Sequence, residues 1–334
     1  LVVQLCAVWP AAAPTDLSLS RVSLANSNYV YIVRNSKVGL TSNSEPHSVV
    51  LRLYGKMNVM FDRREEERVS VALSEMGMIP RFYAVFGNGR VEPFIEHGSV
   101  PAAQFRRMST AQDLVQKLRR IHTFVGPMAE AAVEPLKDKL WARLDTLERN
   151  ARKAQVTLQG RELTASGHAD MFREIERWDV FRDHSAARRR ALQTGSPLVF
   201  AHCDLHHGNV LNTDSGLQII DYEYSIPTAR GFDLANYFCE FCSDYDQEKS
   251  HELSFALYPE YKDRMQIYRA YLGPAASQQE LLQLERETSC YRPFVHLQWA
   301  HWGLVKAQDS HGSAYDHLRY AYLQYREWTR LVAD

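Results

Sequence analysis

Residues 201–225 read AHCDLHHGNVLNTDSGLQIIDYEYS, and no other stretch limits the fold as much. An apolar run at 198–201 feeds a loop that carries His202 and Asp204 and closes on Asn209. NVLN (209–212) and LQIID (217–221), joined by the turn TDSG, then read as a short hairpin. A hairpin of that length returns Asp221 close to Asn209. One carboxylate and one amide oxygen side by side suit a hard divalent cation such as Mg²⁺, which prefers oxygen and keeps water or phosphate as its other ligands. Asp204, just ahead of them, can accept the proton of a hydroxyl aimed at a nucleotide's terminal phosphate. That is the division of labour in phosphoryl transfer, where metal and positioning do most of the work. Glu223 alternates back onto the face of Asp221 and can hold a second cation. Two other readings use the same residues. Single acids often cap turns in water, and His202, Asp204, His206 and His207 form an H-x-D-x-H-H set acceptable to zinc. Zinc leaves Asn209, Asp221 and Glu223 without a role.

The flanking sequence changes character near residue 98. Residues 15–98 are strand-rich: NYVYIV (28–33) and VVLRLY (49–54) are aromatic and β-branched, and RFYAVF, NG and RVEPFI read as a hairpin. Alternation puts Val49, Leu51 and Leu53 on one face and Arg52 on the other, so the strand is half exposed or Arg52 reaches an anion. One helix, at about 62–77, is expected to lie across this sheet and to stop at Gly77. From 99 the chain reads as helical, with a stripe of Leu114, Val115, Leu118, Ile121 and Phe124, a helix at about 135–150, a loop or poor helix at 151–168 and a helix at 169–192. The expected fold is α+β, a small antiparallel sheet lobe with one helix (15–98) followed by a large mainly helical lobe (99–334).

Composition narrows the partners. Of 334 residues, 39 are Lys or Arg and 40 are Asp or Glu, a net charge of -1 that gives no general pull toward nucleic acid or an anionic membrane. No run of 18 uncharged apolar residues exists, and LVVQLCAVWPAAAP is too short to span a bilayer, so no stable membrane insertion is expected. Five cysteines at 6, 203, 239, 242 and 290 fit a reducing, cytoplasmic setting. Cys239 and Cys242 form a CxxC with no second pair nearby, which favours buried thiols over a zinc site. Oligomeric state is not fixed by the sequence, and a homodimer stays open. His122, Arg188–Arg190 and the aromatic tail 320–328 are assigned no function.

Trp299 and Trp302 lie three apart on one helix face, with His296 one turn earlier. Two tryptophans on one face ordinarily mean packing, yet the same helix presents Gln298, His301 and Lys306. A quaternary ammonium cannot donate a hydrogen bond and is best held by aromatic faces beside a carboxylate.

Together, VLRLYG (50–55), RFYAVFGNGRVEPFI (81–95), HCDLHHGNVL (202–211), IIDYEYS (219–225), RGFDLANYFCEF (230–241) and WAHWGLVKAQ (299–308) resemble the choline/ethanolamine kinases, closer to choline kinases, a family whose fold is protein-kinase-like and two-lobed. The resemblance implies that ATP binds with Mg²⁺ between the lobes and that its phosphate goes to the hydroxyl of a small amino alcohol. Choline, and ethanolamine beside it, would give phosphocholine or its analogue and ADP, the first step of phosphatidylcholine synthesis. An ethanolamine-specific kinase and an aminoglycoside-type kinase are the alternatives.

By the same resemblance Asp204 is the base, Asn209 and Asp221 are the metal ligands, and Glu223 follows in the acidic position. Arg52 meets the nucleotide's phosphates with Glu66 as its carboxylate partner, and Asp233 holds the catalytic loop. Glu240, Tyr245, Trp299, Trp302 and Tyr315 fall at acceptor-pocket positions. Two departures stand out. The phosphate loop, Arg21 to Asn26, lacks glycine and would either lie farther from the nucleotide or close through Ser23 and Asn26 side chains, and His206 and His207 replace a common Gln-Glu pair, with His206 facing nucleotide or acceptor.

Overall fold

The computed structural model describes residues 8–22, 28–39, 45–54, 71, 73–75, 77, 79–95, 98–123, 137–159, 167–178, 180–181, 184–308 and 315–333. Ser23, Asn26 and Glu66 lie outside the described residues, as does most of the helix expected at 62–77. Val71 and Leu73–Glu75 of that segment are helical, and Gly77 ends the turn in the left-handed region at φ 69°. The chain forms two compact units, Leu1–Gly98 with Thr213–Gln218, and Ser99–Asn212 with Ile219–Asp334.

The first unit is an antiparallel sheet of β1 (Leu17–Arg21), β2 (Asn28–Asn35), β3 (Ser48–Tyr54), β4 (Ala84–Phe86) and β5 (Gly89–Pro93), in the order β1-β2-β3-β5-β4. Alternation sends Val33, Val49, Leu51 and Val91 to one face, where Val8 and Trp9 complete the core. Each such side chain contributes about 1.5–3 kcal/mol on burial. Trp9 Nε1 donates to the carbonyl of Pro46 at 2.7 Å, so part of the apolar N-terminal stretch is a cover for this sheet. The β4–β5 loop is Gly87–Asn88, one residue earlier than the Asn-Gly pattern suggests. Gly89 already pairs within the sheet, and a Cβ there would sit 2.3 Å from the Arg52 carbonyl.

The second unit is mainly helical: α1 (Met108–His122), α2 (Leu140–Gln159), α3 (His168–Arg177), α4 (Ser185–Leu192), α5 (Arg230–Cys239), α6 (Tyr261–Leu272), α7 (Gln278–Ala307) and α8 (His317–Ala333). Of the loop or poor helix expected at 151–168, the part to Gln159 is helix, continuous with α2. Ala151, Ala154 and Leu158 continue the buried stripe of Leu140, Leu144 and Leu147, and alanines make it too faint for hydropathy to show. The single helix expected at 169–192 is two, because the chain leaves α3 at Trp178 and the Phe181 carbonyl accepts from Arg152 instead. Short strands β6 (Leu198–Ala201) and β9 (Ile226–Ala229) pair antiparallel, and β7 (Val210–Thr213) pairs with β8 (Gly216–Ile219). The β9 pairing was not expected. Among the described residues no helix is long and apolar enough to cross a membrane.

Candidate active site

The loop from β6 to β7 is held from beneath. Asp233, on the first turns of α5 and fully buried, accepts the backbone N–H of His202 at 2.8 Å on Oδ2 and that of Cys203 at 2.7 Å on Oδ1. Cys203 has φ 63°, a left-handed conformation that costs a side-chain-bearing residue roughly 1–2 kcal/mol. Two hydrogen bonds to a carboxylate are enough to offset that cost. Burial pushes the Asp233 carboxyl up, but the bond from His122 and the loop amide of Cys203 outweigh it and hold it below the usual range.

That clamp sets Asp204 among acids. Burial raises its pKa well above the ordinary value, and the negative charges of Glu240, Asp221 and Glu223 raise it further, against a hydrogen bond from Asn209. Asn209 Nδ2 donates to the Asp204 carbonyl at 2.9 Å and to Oδ2 at 3.3 Å, so the amide nitrogen faces Asp204. The amide of Ile220 donates to the Asn209 carbonyl at 3.0 Å, which brings the Asp221 end of the hairpin beside Asn209. Asp221 itself has φ 65°, and Glu223 is buried. Carboxylates gathered in a water-poor place repel one another, and oxygen donors of this kind suit a hard divalent cation. The residues present therefore fit Mg²⁺.

Zinc fits poorly. His202 Nε2 lies 3.0 Å from the Ile220 carbonyl and its Nδ1 accepts the Asp204 amide. His206 Nδ1 accepts the Gly208 amide at 3.0 Å, and burial keeps its imidazole neutral, with a pKa lowered to about 3. His207 Nδ1 lies 3.1 Å from the Val100 carbonyl and Nε2 accepts the Tyr245 amide at 2.9 Å. His207, Asp244 and Asp246 also bring one ligand atom each within 4.8 Å of one another, but the same two backbone bonds occupy that imidazole.

Beyond the loop, Glu240 is 3% exposed and its Oε2 accepts the Tyr245 hydroxyl at 3.0 Å. Burial raises its pKa to about 7, against bonds from Tyr245 and Ser243. Tyr315 is half-buried against His317 and Tyr320, with ring centroids at 4.8 and 5.6 Å, and the Glu240 charge reaches its phenol. Trp299 is buried, donates Nε1 to Asn236 at 2.8 Å and meets Tyr224 and Trp302 edge-on, the geometry of a packed wall. Trp302 is half-buried, and the Lys306 ammonium stands 5.7 Å from its ring centre.

In the first unit, Arg52 Nε donates to Glu92 at 3.0 Å, and Arg90 donates to the same oxygen. Burial pushes the Glu92 carboxyl up, but the two arginine charges hold it at about 2. Glu92 is thus one carboxylate that orients Arg52, and the expected partner Glu66 lies outside the described residues.

Residues 19–329 match the family model described as Choline/ethanolamine kinase. The chain belongs to the choline/ethanolamine kinase family. It is 27% identical over 289 residues to "Probable choline kinase 1" of Arabidopsis thaliana, covering 84% of this chain and 78% of that protein. It is 28% identical over 337 residues to "Choline/ethanolamine kinase" of Homo sapiens, covering 96% and 80%. Among solved structures, choline kinase from Cryptosporidium parvum superposes with a TM-score of 0.78 at 22% identity, over 99% of this chain and 94% of that one. Plasmodium vivax ethanolamine kinase follows at 0.76 and 20% identity, over 98% and 86%. These likenesses show the fold, a small antiparallel sheet lobe and a larger helical lobe.

Within this kinase-family chain, two side chains matter that sequence reasoning left aside. His122 meets Asp233 at 2.8 Å through Nε2 and the Tyr271 hydroxyl at 2.7 Å through Nδ1. Arg106 donates to the carbonyls of Phe241 and Ser243 at 2.7 and 2.6 Å, bracing the turn that carries Glu240. A lone histidine closing an amphipathic helix gives no local signal of such a partner.

Proposed function

We propose that this kinase-family chain transfers the γ-phosphate of ATP to the hydroxyl of choline, and also to ethanolamine, giving phosphocholine or its analogue and ADP. This would supply the first step of phosphatidylcholine synthesis. The observation that carries the reading is that the buried Glu240 carboxylate lies near enough for its charge to bear on Asp204. A proton acceptor flanked by a buried anion suits an acceptor that bears a hydroxyl and a fixed positive charge together.

In this reading Asp204 takes up the hydroxyl proton, a task for which its raised pKa is suited. Asn209 and Asp221 would hold Mg²⁺, with Glu223 available to a second ion; bound Mg²⁺ would offset charge on the phosphates. Arg52, held by Glu92, would meet the phosphates as a planar donor, with Ser23, Asn26 and His206 on the nucleotide side. Residues 15–98 then serve as the nucleotide-binding lobe and 99–334 as the catalytic and acceptor lobe. Glu240, Tyr245, Trp302 and Tyr315 line the acceptor's cationic head, and Trp299 backs Trp302. A cytoplasmic setting belongs to the same reading, supported by the four described cysteines, all free thiols.

One observation favours ethanolamine as the better acceptor. The Lys306 ammonium stands 5.7 Å from the Trp302 ring centre, so a trimethylammonium brought to that ring would meet a like charge, whereas a primary ammonium can bond to Glu240 directly. ATP consumption measured in parallel with choline, ethanolamine, a polyhydroxylated aminoglycoside and no acceptor tests both readings. The proposal expects turnover with the two amino alcohols alone. Turnover with the aminoglycoside and neither amino alcohol overturns it.

A further inference from the structure

One side chain touches both the catalytic loop's surroundings and the pocket of Glu240. His207 is 1% exposed and lies three residues after Asp204 in the same loop. Its Nε2 accepts the Tyr245 amide at 2.9 Å, so the ring proton belongs on Nδ1, where the Val100 carbonyl waits at 3.1 Å. The Asp246 carboxylate lies 3.7 Å from the same Nδ1. The ring also stacks on that of Tyr245, with centroids 5.4 Å apart and planes at 23°, while His206 meets Tyr245 edge-on at 4.8 Å. Tyr245 in turn donates its hydroxyl to Glu240. A ring needed only to fill space has no use for two nitrogens aimed at backbone groups of two separate segments.

We infer that His207 is a specificity-determining positioning residue, a strut that fixes the Tyr245–Glu240 pair at a set distance from Asp204. The inference rests on the amino-alcohol reading above. An acceptor whose cationic nitrogen lies two carbons from its hydroxyl must meet anion and base at once, so the site reads that separation. Tyr245 is held by its own amide, by ring stacking and by its hydroxyl, and the first two of these come from the loop that carries Asp204. Movement of Tyr245 would let Glu240 lose its bond and shift the head group relative to the base. Choline and ethanolamine differ in head-group size, so such movement changes their ratio as well as their affinity.

Two isosteric changes separate the two ends of the strut. In His207→Asn the amide reaches only the place of Nδ1 and keeps the Val100 contact, whereas in His207→Gln it reaches the place of Nε2 and keeps the Tyr245 contact. Steady-state kinetics with choline, ethanolamine and ATP, checked by circular dichroism for folding, is the test. H207N is expected to raise the acceptor KM about tenfold, the worth of one buried hydrogen bond, and to shift the choline-to-ethanolamine ratio of kcat/KM. H207Q is expected to stay within about threefold of the parent, and the ATP KM within about twofold in both. An active, folded H207N with parental acceptor KM and ratio overturns the inference, as does equal damage in H207Q and H207N. Should H207N not fold, ¹⁵N spectra of the parent decide: Nδ1 protonation of His207 is required, and Nε2 protonation refutes the strut. A parent that consumes ATP with neither amino alcohol ends the functional reading and this inference with it, whereas a parent active on them confines any failure to His207.

Discussion

His122 Nε2 lies 2.8 Å from Asp233 Oδ2, in a place where both residues are shut off from solvent. The same carboxylate carries the His202 and Cys203 amides, so one buried aspartate links α1 to the loop that bears Asp204. The Tyr271 hydroxyl closes the far side of the imidazole, which extends the tether to α6.

Replacing Asp233 with Asn turns an NH₂ group toward backbone donors and leaves at least one of them unpaired. Stability is expected to fall by about 3 kcal/mol, the low end for breaking a buried charged contact. The loop also loses what offsets the left-handed Cys203, so kcat should drop at least about tenfold while the ATP KM changes little. Urea unfolding beside steady-state kinetics checks both. Parental kcat in a folded D233N would contradict the clamp.

Glu92→Gln removes the negative charge that Arg52 and Arg90 share in a buried setting. A loss of about 3 kcal/mol is expected in denaturant unfolding at neutral pH. The pH dependence has a defined sign. A carboxyl held at about 2 contributes stability above its unfolded pKa near 4.5, and that contribution fades as pH falls toward 2. The difference between parent and E92Q should therefore shrink below pH 4.5. A difference that grows on acidification would contradict the arginine pairing.

Glu240 predicts the opposite trend. Its pKa is raised to about 7, so between pH 4.5 and 7 the folded protein keeps a proton that the unfolded chain has released. Its contribution to stability falls as pH rises through that window. A cationic acceptor needs the ionised form, so the acceptor KM should rise as pH falls below 7, by up to about tenfold per pH unit. Glu240→Gln should flatten that profile. A parental acceptor KM that stays level from pH 6 to 8 would show that Glu240 is not the counter-ion.

Sequence alone showed the parts of this fold that depend on near neighbours. The hairpin at 209–221 was legible because a turn and two apolar runs declare it within a dozen residues, and β2 and β3 were legible from their β-branched composition. Helix α2 was under-read because Ala151 and Ala154 bury a face without looking apolar. The Arg52–Glu92 contact depends on register: Glu92 is 40 residues away, and the pairing of Val50 with Glu92 and Arg52 with Arg90 brings it near. His122 and Asp233 are 111 residues apart, and nothing local announces that contact. The histidines at 206 and 207 were visible as departures, but their engagement with Tyr245 required the loop to be folded.

The central claim is that Asp204 accepts the acceptor's proton in a site assembled from Asn209, Asp221 and Glu240. Turnover of ATP with an amino alcohol, measured for parent and Asp204→Ala beside nucleotide binding by calorimetry, tests it most directly. Loss of at least about a thousandfold in kcat with ATP affinity within about threefold is the expected result. Near-parental turnover in a folded D204A would contradict the account.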